Sequence, residues 1–370
     1  MSQKIVVISA TAYLVSAAAK IQFDNVGISY TMVARIAKKS RQTMRISTSL
    51  MTAVLLCNAT AALAQVRPVH TYSIVARDPA TGEMGAAVQS HWFSVGSMVI
   101  WGEAGVGVVA TQSFVDPSYG PLGLALMKAG RTAGQSLEAL KRADPHPEVR
   151  QVAMLDASGI AAAHTGDKCI PEAGHIVGEN FSVQANLMLN GKIWPEMARA
   201  FLAAKGNLAN KMLAALEAAQ AAGGDIRGRQ SAAILIVKSK ASGRPWQDRV
   251  MDLRVEDSEE PLKELRRLIL LHGAYEHMNQ GDLAVEADDA QAALREYGAA
   301  ESLFPDNLEM KFWHAVALVN MGRVEESLPL FRAIFAKDQN WATLLPRLPK
   351  VDLLKADQKT LDRILALLEK

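Results

Sequence analysis

Cysteine is nearly absent from this chain, with two in 370 residues, Cys57 and Cys169. Cys57 follows Leu56 rather than a small residue, which makes it a poor lipid acceptor. If the segment holding Cys57 is removed, Cys169 remains alone and no intrachain disulfide can form. Stability must then come from packing. Metal-binding spacing is missing as well: the eight histidines are scattered, and no His-Glu-x-x-His occurs. A cationic surface is also lacking. Seven of the forty Lys and Arg residues, but only one of the 38 acids (Asp24), lie in residues 1–64, so the remainder carries 33 bases against 37 acids, a net −4. Such a balance argues against nucleic acid as a partner, because phosphates call for a basic face.

The basic segment has its own logic. Met44-Arg45 precedes a short apolar run, Leu50–Leu56, and Ala62-Leu63-Ala64 supplies the small residues that a signal peptidase accepts. We expect export, with cleavage before Gln65 and translation starting at Met44, and no stable membrane span after cleavage. The apolar run is too short to cross a bilayer comfortably. Residues 1–64 are therefore a leader, 65–258 a first domain, and 259–370 a helical extension.

Strand patterns open the first domain. Thr71–Arg77 alternates and is rich in β-branched residues, Asp78-Pro-Ala-Thr-Gly82 is turn chemistry, and Met84–Ser90 returns. The same device recurs at Gln151–Leu155, Asp156–Gly159 and Ile160–His164. Val106–Thr111, Ser231–Val237 and Arg249–Val255 read as further strands, and Leu122–Ala143 as one helical stretch. Trp194–Lys205 and Leu208–Ala222 read as a helix pair, the second capped by Asn207 and ended by Gly223-Gly224. Hairpins alternating with helix pairs favour an α+β layered sandwich over a doubly wound parallel sheet.

From Pro261 the pattern is helical alone. Helices are expected over Glu264–Asn279 (stopping at Gly281), Ala292–Phe304, Leu308–Met321 and Val324–Lys337. Ala292, Ala293, Ala315 and Ala317 at the crossings suit tetratricopeptide units, and a plain helical bundle fits equally well. Too few repeats are present to stand alone, so the extension should dock on the first domain.

Gly105-Val-Gly107-Val-Val-Ala110 resembles a dinucleotide fingerprint, but it is itself strand-like and leads into Thr111-Gln112-Ser113, so no nucleotide and no other cofactor is expected. Polar residues crowd Gln89-Ser90-His91-Trp92, Thr111–Ser113, His164–Asp167, Ser182–Asn186 and Gly224–Ser231. Such residues beside apolar strands satisfy one another or line a cleft. His91 and His164 each end a returning strand, so they either converge on one rim or are separately hydrogen-bonded. Arg229 could hold a substrate carboxylate, or pair with Asp225 to fix its Gly-rich turn.

Several of these strings occur together in a known family. Thr71–Gly82, Gln89-Ser-His-Trp-Phe93, Val183-Gln-Ala-Asn-Leu-Met188 and Gly224-Asp-Ile-Arg-Gly-Arg-Gln-Ser-Ala232 resemble the domain of unknown function 1028 family, over about Val69 to His277. The resemblance implies a four-layer αββα sandwich of the N-terminal-nucleophile hydrolase type, with a helical extension sometimes described as peptidoglycan-binding. In such hydrolases the first residue of a strand attacks an amide and its own α-amine is the base. Carried onto this chain, that makes Thr71 the nucleophile, with Asn186 or Gln112 stabilising the oxyanion. His91, His164, Arg229 and Ser231 would line the substrate site. Cleavage before Gln65 leaves six residues ahead of Thr71, so a second cut after His70 is required. The substrate class expected is a small molecule, peptide or cell-wall fragment. The alternative is a non-catalytic binding protein of the cell envelope built on the same scaffold, and self-association is compatible with either.

Overall fold

The computed structural model describes residues 71–369; the leader and its cleavage site lie outside the described residues. Ten strands form two antiparallel sheets. The larger contains β1 (Thr71–Arg77), β2 (Met84–Ser90), β7 (Gly174–Gly178), β8 (Phe181–Ala185), β9 (Ser231–Val237) and β10 (Arg249–Val255), in the order β10-β9-β2-β1-β8-β7. The smaller orders β3 (Ile100–Glu103), β4 (Gly107–Ser113), β5 (Arg150–Asp156) and β6 (Ala161–Thr165) as they occur in the chain.

Alternation along the strands explains how the sheets stack. Val75, Met84, Ala86, Val88, Ala233, Leu235 and Val237 of the larger sheet meet Val108, Ala110, Ala153 and Leu155 of the smaller one. The next residues along, Ile74, Ala76, Ala87, Ile234 and Ile236, face outward and are covered by Met197, Phe201, Met212, Leu213 and Leu216. Those belong to α4 (Ile193–Ala203) and α5 (Leu208–Ala221). The other face of the smaller sheet, with Val109, Val152 and Met154, is covered by α2 (Tyr119–Lys128) and α3 (Ala133–Ala143) through Leu124, Met127 and Leu137. A single turn, α1 (Gly96–Val99), links β2 to β3. Strands buried on both faces carry near-continuous apolar runs, as Ser231–Val237 does.

The single helical stretch expected over 122–143 is two helices. Gly130 takes φ +87°, and Thr132 starts α3 with a capping box whose partner is Gln135. Asn207 caps α5 through the Asn210 amide, as the sequence indicates.

The C-terminal region is all helix: α6 (Pro261–Glu286), α7 (Ala290–Leu303), α8 (Leu308–Asn320), α9 (Val324–Lys337), α10 (Asn340–Leu344) and α11 (Gln358–Leu365). Gly281 does not end α6, which runs on to Glu286. A Cβ at Gly281 would lie 2.4 Å from a ring carbon of Tyr297 in α7, so this glycine permits close helix packing instead. The start of α6 joins the outer core of the larger sheet through Leu262, Leu265 and Ile269, which docks the extension. Among the described residues no helix is long and apolar enough to cross a membrane.

Candidate functional site

One end of the two sheets is polar where the rest is apolar. Register places Ser231, Ser90 and Thr71 side by side on β9, β2 and β1. Asn186 continues the row, its backbone N–H donating to the Thr71 carbonyl at 3.1 Å. Across the gap the smaller sheet contributes the row Gln112, Gln151 and Thr165 on β4, β5 and β6. Apart from Thr165, which is half-buried, every member is fully buried. None is charged, so this is a layer of neutral hydrogen-bonding groups.

Gln151 is its hub. The Oε1 atom accepts from Gln112 Nε2 at 2.7 Å and from Asn186 Nδ2 at 2.9 Å. The Nε2 atom donates to Thr165 Oγ1 at 2.8 Å, to the Ala185 carbonyl at 2.9 Å and to that of Gly174 at 3.2 Å. Gln112 also donates to the Thr71 carbonyl at 3.1 Å and accepts from Ser73 Oγ at 2.7 Å. Ser73 in turn accepts from Gln184 Nε2 at 2.6 Å. Buried polar groups require such partners, and a closed network of this kind fixes the orientation of each member.

The network reaches an open cleft of about 540 Å³ lined by Thr165, Asp167, Cys169, Glu172, His175 and Trp194. His175 Nδ1 lies 2.8 Å from Thr165 Oγ1. Burial first, and the neighbouring His164 second, hold the His175 imidazole below the ordinary histidine range, which favours its neutral form. Burial pushes the Cys169 thiol up, so it is not poised as a thiolate.

Backbone strain concentrates at this end. Ser94, Ser113, Glu172 and Leu187 all adopt left-handed φ of 55° to 72°. Ser113 follows Gln112, Leu187 follows Asn186, and the Glu172 carbonyl accepts from Met188 N at 3.2 Å. Non-glycine residues in this region cost of order 1–3 kcal/mol each and gather where a fold serves a function.

The Gly-rich turn closes over the same end. Asp225 accepts from the backbone N–H of Arg227 at 2.9 Å and from its guanidinium at 3.0 and 2.7 Å, and also from His91 N at 3.2 Å. Ser231 Oγ donates to the Trp92 carbonyl and accepts from Val95 N at 3.1 Å, which ties the loop after β2 to β9. Arg229 does not pair with Asp225: it binds Glu260 at 2.6 Å, just before α6. Asp225 takes Arg227 because backbone and guanidinium can reach one carboxylate together two residues away.

Of the residues singled out from sequence, Thr71, Gln112 and Asn186 meet directly, and Ser231 joins their row. His91 stands exposed beyond β2, beside Gly228. His164 bonds the Pro147 carbonyl at 2.8 Å on the outer face of the smaller sheet, so the two histidines do not converge. Thr165 belongs to the polar stretch His164–Asp167 and does line the cleft, whereas no sequence pattern marks Gln151 or His175; the alignment of Gln151 with Asn186 depends on sheet stacking that periodicity does not encode. Among the described residues no group of three or more His, Cys, Asp or Glu is placed to hold a metal ion.

A family model described as "Family of unknown function (DUF1028)" matches residues 71–265, from the start of β1 into α6. The chain belongs to the DUF1028 family. Among solved structures it is similar to the DUF1028 protein SPO2555 from Silicibacter pomeroyi, with 27% identity, 54% of this chain and 88% of that one covered, and a TM-score of 0.49. Another is Anbu (ancestral beta-subunit) from Yersinia bercovieri, with 12% identity, 59% and 97% covered, and a TM-score of 0.28. No curated protein matches. The DUF1028 match includes Thr71, the polar layer and the Asp225 turn, and leaves α7 to α11 outside it.

Proposed function

We propose that this DUF1028 protein is an exported hydrolase of amide bonds, built on the N-terminal-nucleophile type of αββα sandwich, with Thr71 as its nucleophile. The observation that carries this reading is the placement of Thr71 in the polar row of a central strand, beside Gln112 and Asn186 and at the strained end of the sheets. The hydroxyl would attack the substrate carbonyl, and the α-amine freed by a cut after His70 would take its proton. An α-amine titrates near 7.7–8.0 in water. Among neutral amides and hydroxyls, with no carboxylate in the layer, desolvation would lower that value and leave the amine free to accept a proton at neutral pH.

Gln112 and Asn186 hold the Thr71 carbonyl, so their first role in this scheme is orientation. To stabilise an oxyanion, one amide would exchange that carbonyl for the substrate's. The 540 Å³ cleft beside His175 supplies room for a small molecule, a peptide or a cell-wall fragment. The test is a comparison of wild type, Thr71→Ser and Thr71→Ala on a panel of amide substrates. Activity kept in part by serine and lost with alanine supports the scheme; equal activity in all three refutes it.

One observation favours a second reading. Both amide hydrogens of Gln112 are already engaged, by the Thr71 carbonyl and by Gln151 Oε1, and Thr71 is fully buried. A satisfied layer of this kind suits a non-catalytic envelope protein that uses the sheets as a scaffold and the helical region to grip its partner.

A further inference from the structure

The opposite end of the larger sheet carries a largely exposed β9–β10 loop whose make-up the hydrolase reading does not use. Trp246 in this loop is 78% exposed, the most exposed of the large apolar side chains among the described residues. It follows Pro245, and the same loop carries the exposed cations Lys238, Lys240 and Arg244. None of these three forms a salt bridge among the described residues, whereas the next cation, Arg249, is paired with Asp252. The one acid in the loop, Asp248, is turned inward. Its carboxylate accepts from Ser242 N at 3.0 Å, and its backbone carbonyl from Lys238 N at 3.0 Å. On the adjoining β1–β2 turn Asp78 and Glu83 are half-buried, and Asp78 accepts from the Ala80 amide at 2.8 Å.

The loop is also rigid by construction. Arg244 N donates to Ser242 Oγ at 3.1 Å, Ser242 Oγ to the Arg244 carbonyl at 3.2 Å, and Gln247 N to the Arg244 carbonyl at 2.8 Å. An indole on a pre-formed turn loses little freedom on binding. A single exposed aliphatic side chain needs no explanation, but tryptophan is the residue whose amphipathic ring partitions to the membrane–water interface. Cations in the same loop that form no salt bridge add attraction to anionic headgroups.

We propose that the Lys238–Gln247 loop is a docking element for an anionic lipid surface, with Trp246 entering the headgroup layer and Lys238, Lys240 and Arg244 facing lipid phosphates. The geometry of the fold gives this a consequence. β9 runs from Ser231, in the polar row with Thr71, to Val237, at the base of the loop. Seven extended residues span roughly 20 Å, so a protein resting on this loop would hold its polar end away from the bilayer and open to solution. The proposal does not depend on the hydrolase reading.

The experiment is co-sedimentation of the purified protein with large vesicles of phosphatidylglycerol and phosphatidylcholine, or of phosphatidylcholine alone. Wild type is compared with Trp246→Ala and with Lys238→Glu/Lys240→Glu/Arg244→Glu, folding being checked by circular dichroism. The expected result is binding to the anionic vesicles alone, weakened at least fivefold by Trp246→Ala and abolished by the triple variant or by high salt. Wild type that stays in solution, or binding that neither variant alters, overturns the proposal. Loss with the triple variant but not with Trp246→Ala also overturns it, since the loop would then bind any polyanion by charge alone, with no entry of Trp246 into the headgroup layer.

Discussion

Replacing Gln151 by Met tests whether the polar layer is a dry, closed network. Met matches Gln in chain length, so no large cavity opens and the polar atoms alone are removed. The variant strands one N–H each of Gln112 and Asn186, and takes a donor from Thr165 Oγ1 and from the carbonyls of Ala185 and Gly174. Each buried group left without a partner costs about 1–3 kcal/mol. Gln112 keeps its bond to Thr71 and Thr165 can turn to His175, so the sum is reduced. We expect a loss of about 3–5 kcal/mol, a large share of a typical 5–15 kcal/mol stability. Urea unfolding followed by circular dichroism reads it as a lower midpoint with an unchanged slope. Met154→Leu, on the same strand but facing the helices, is the control and should cost below about 1.5 kcal/mol. A Gln151→Met effect under about 1 kcal/mol would refute the reasoning, because water would then be replacing the lost partners.

Other consequences can be measured separately. Asp225→Asn keeps an acceptor but removes the charge that holds Arg227; we expect a loss of about 2 kcal/mol and faster hydrogen exchange at His91 N and Arg227 N, with the strands still protected. His175 should titrate below the ordinary histidine value near 6.5, by proton NMR, and His164→Gln should bring it part of the way back. Because its folded value is depressed, the His175 contribution to stability is complete above about pH 6.5 and is lost as the pH falls through the folded value. Gly281→Ala sets about 1 kcal/mol of gained helix propensity against a Cβ 2.4 Å from Tyr297. Overpacking of this kind costs about 1–3 kcal/mol, so the helical region should melt at a lower temperature, as read by calorimetry.

Much of the fold was legible because its strands are written in local chemistry. β1, β2, β9 and β10 begin and end where alternation and turn residues indicate. β7 and β8 were missed: each is five residues long, and their two-residue turn, Glu179-Asn180, relies on a left-handed Asn180 rather than a glycine. Gly281 looked like a helix stop because its reason for being glycine lies in α7, not in its own helix. The site was legible in part for the same reason. Thr71, Gln112, Asn186 and Ser231 stand at strand ends within motifs that repeat polar residues. Gln151 as hub, His175 in the cleft and the Arg229–Glu260 pair follow from how two sheets and α6 come together, and no pattern within any one segment encodes that.

The central claim, that Thr71 acts as an N-terminal nucleophile, is tested most directly by the intact mass and N-terminal sequence of the protein recovered after export. The account predicts a chain that begins at Thr71. A chain that begins at Gln65, with six residues still ahead of Thr71 and no further cut, would contradict it.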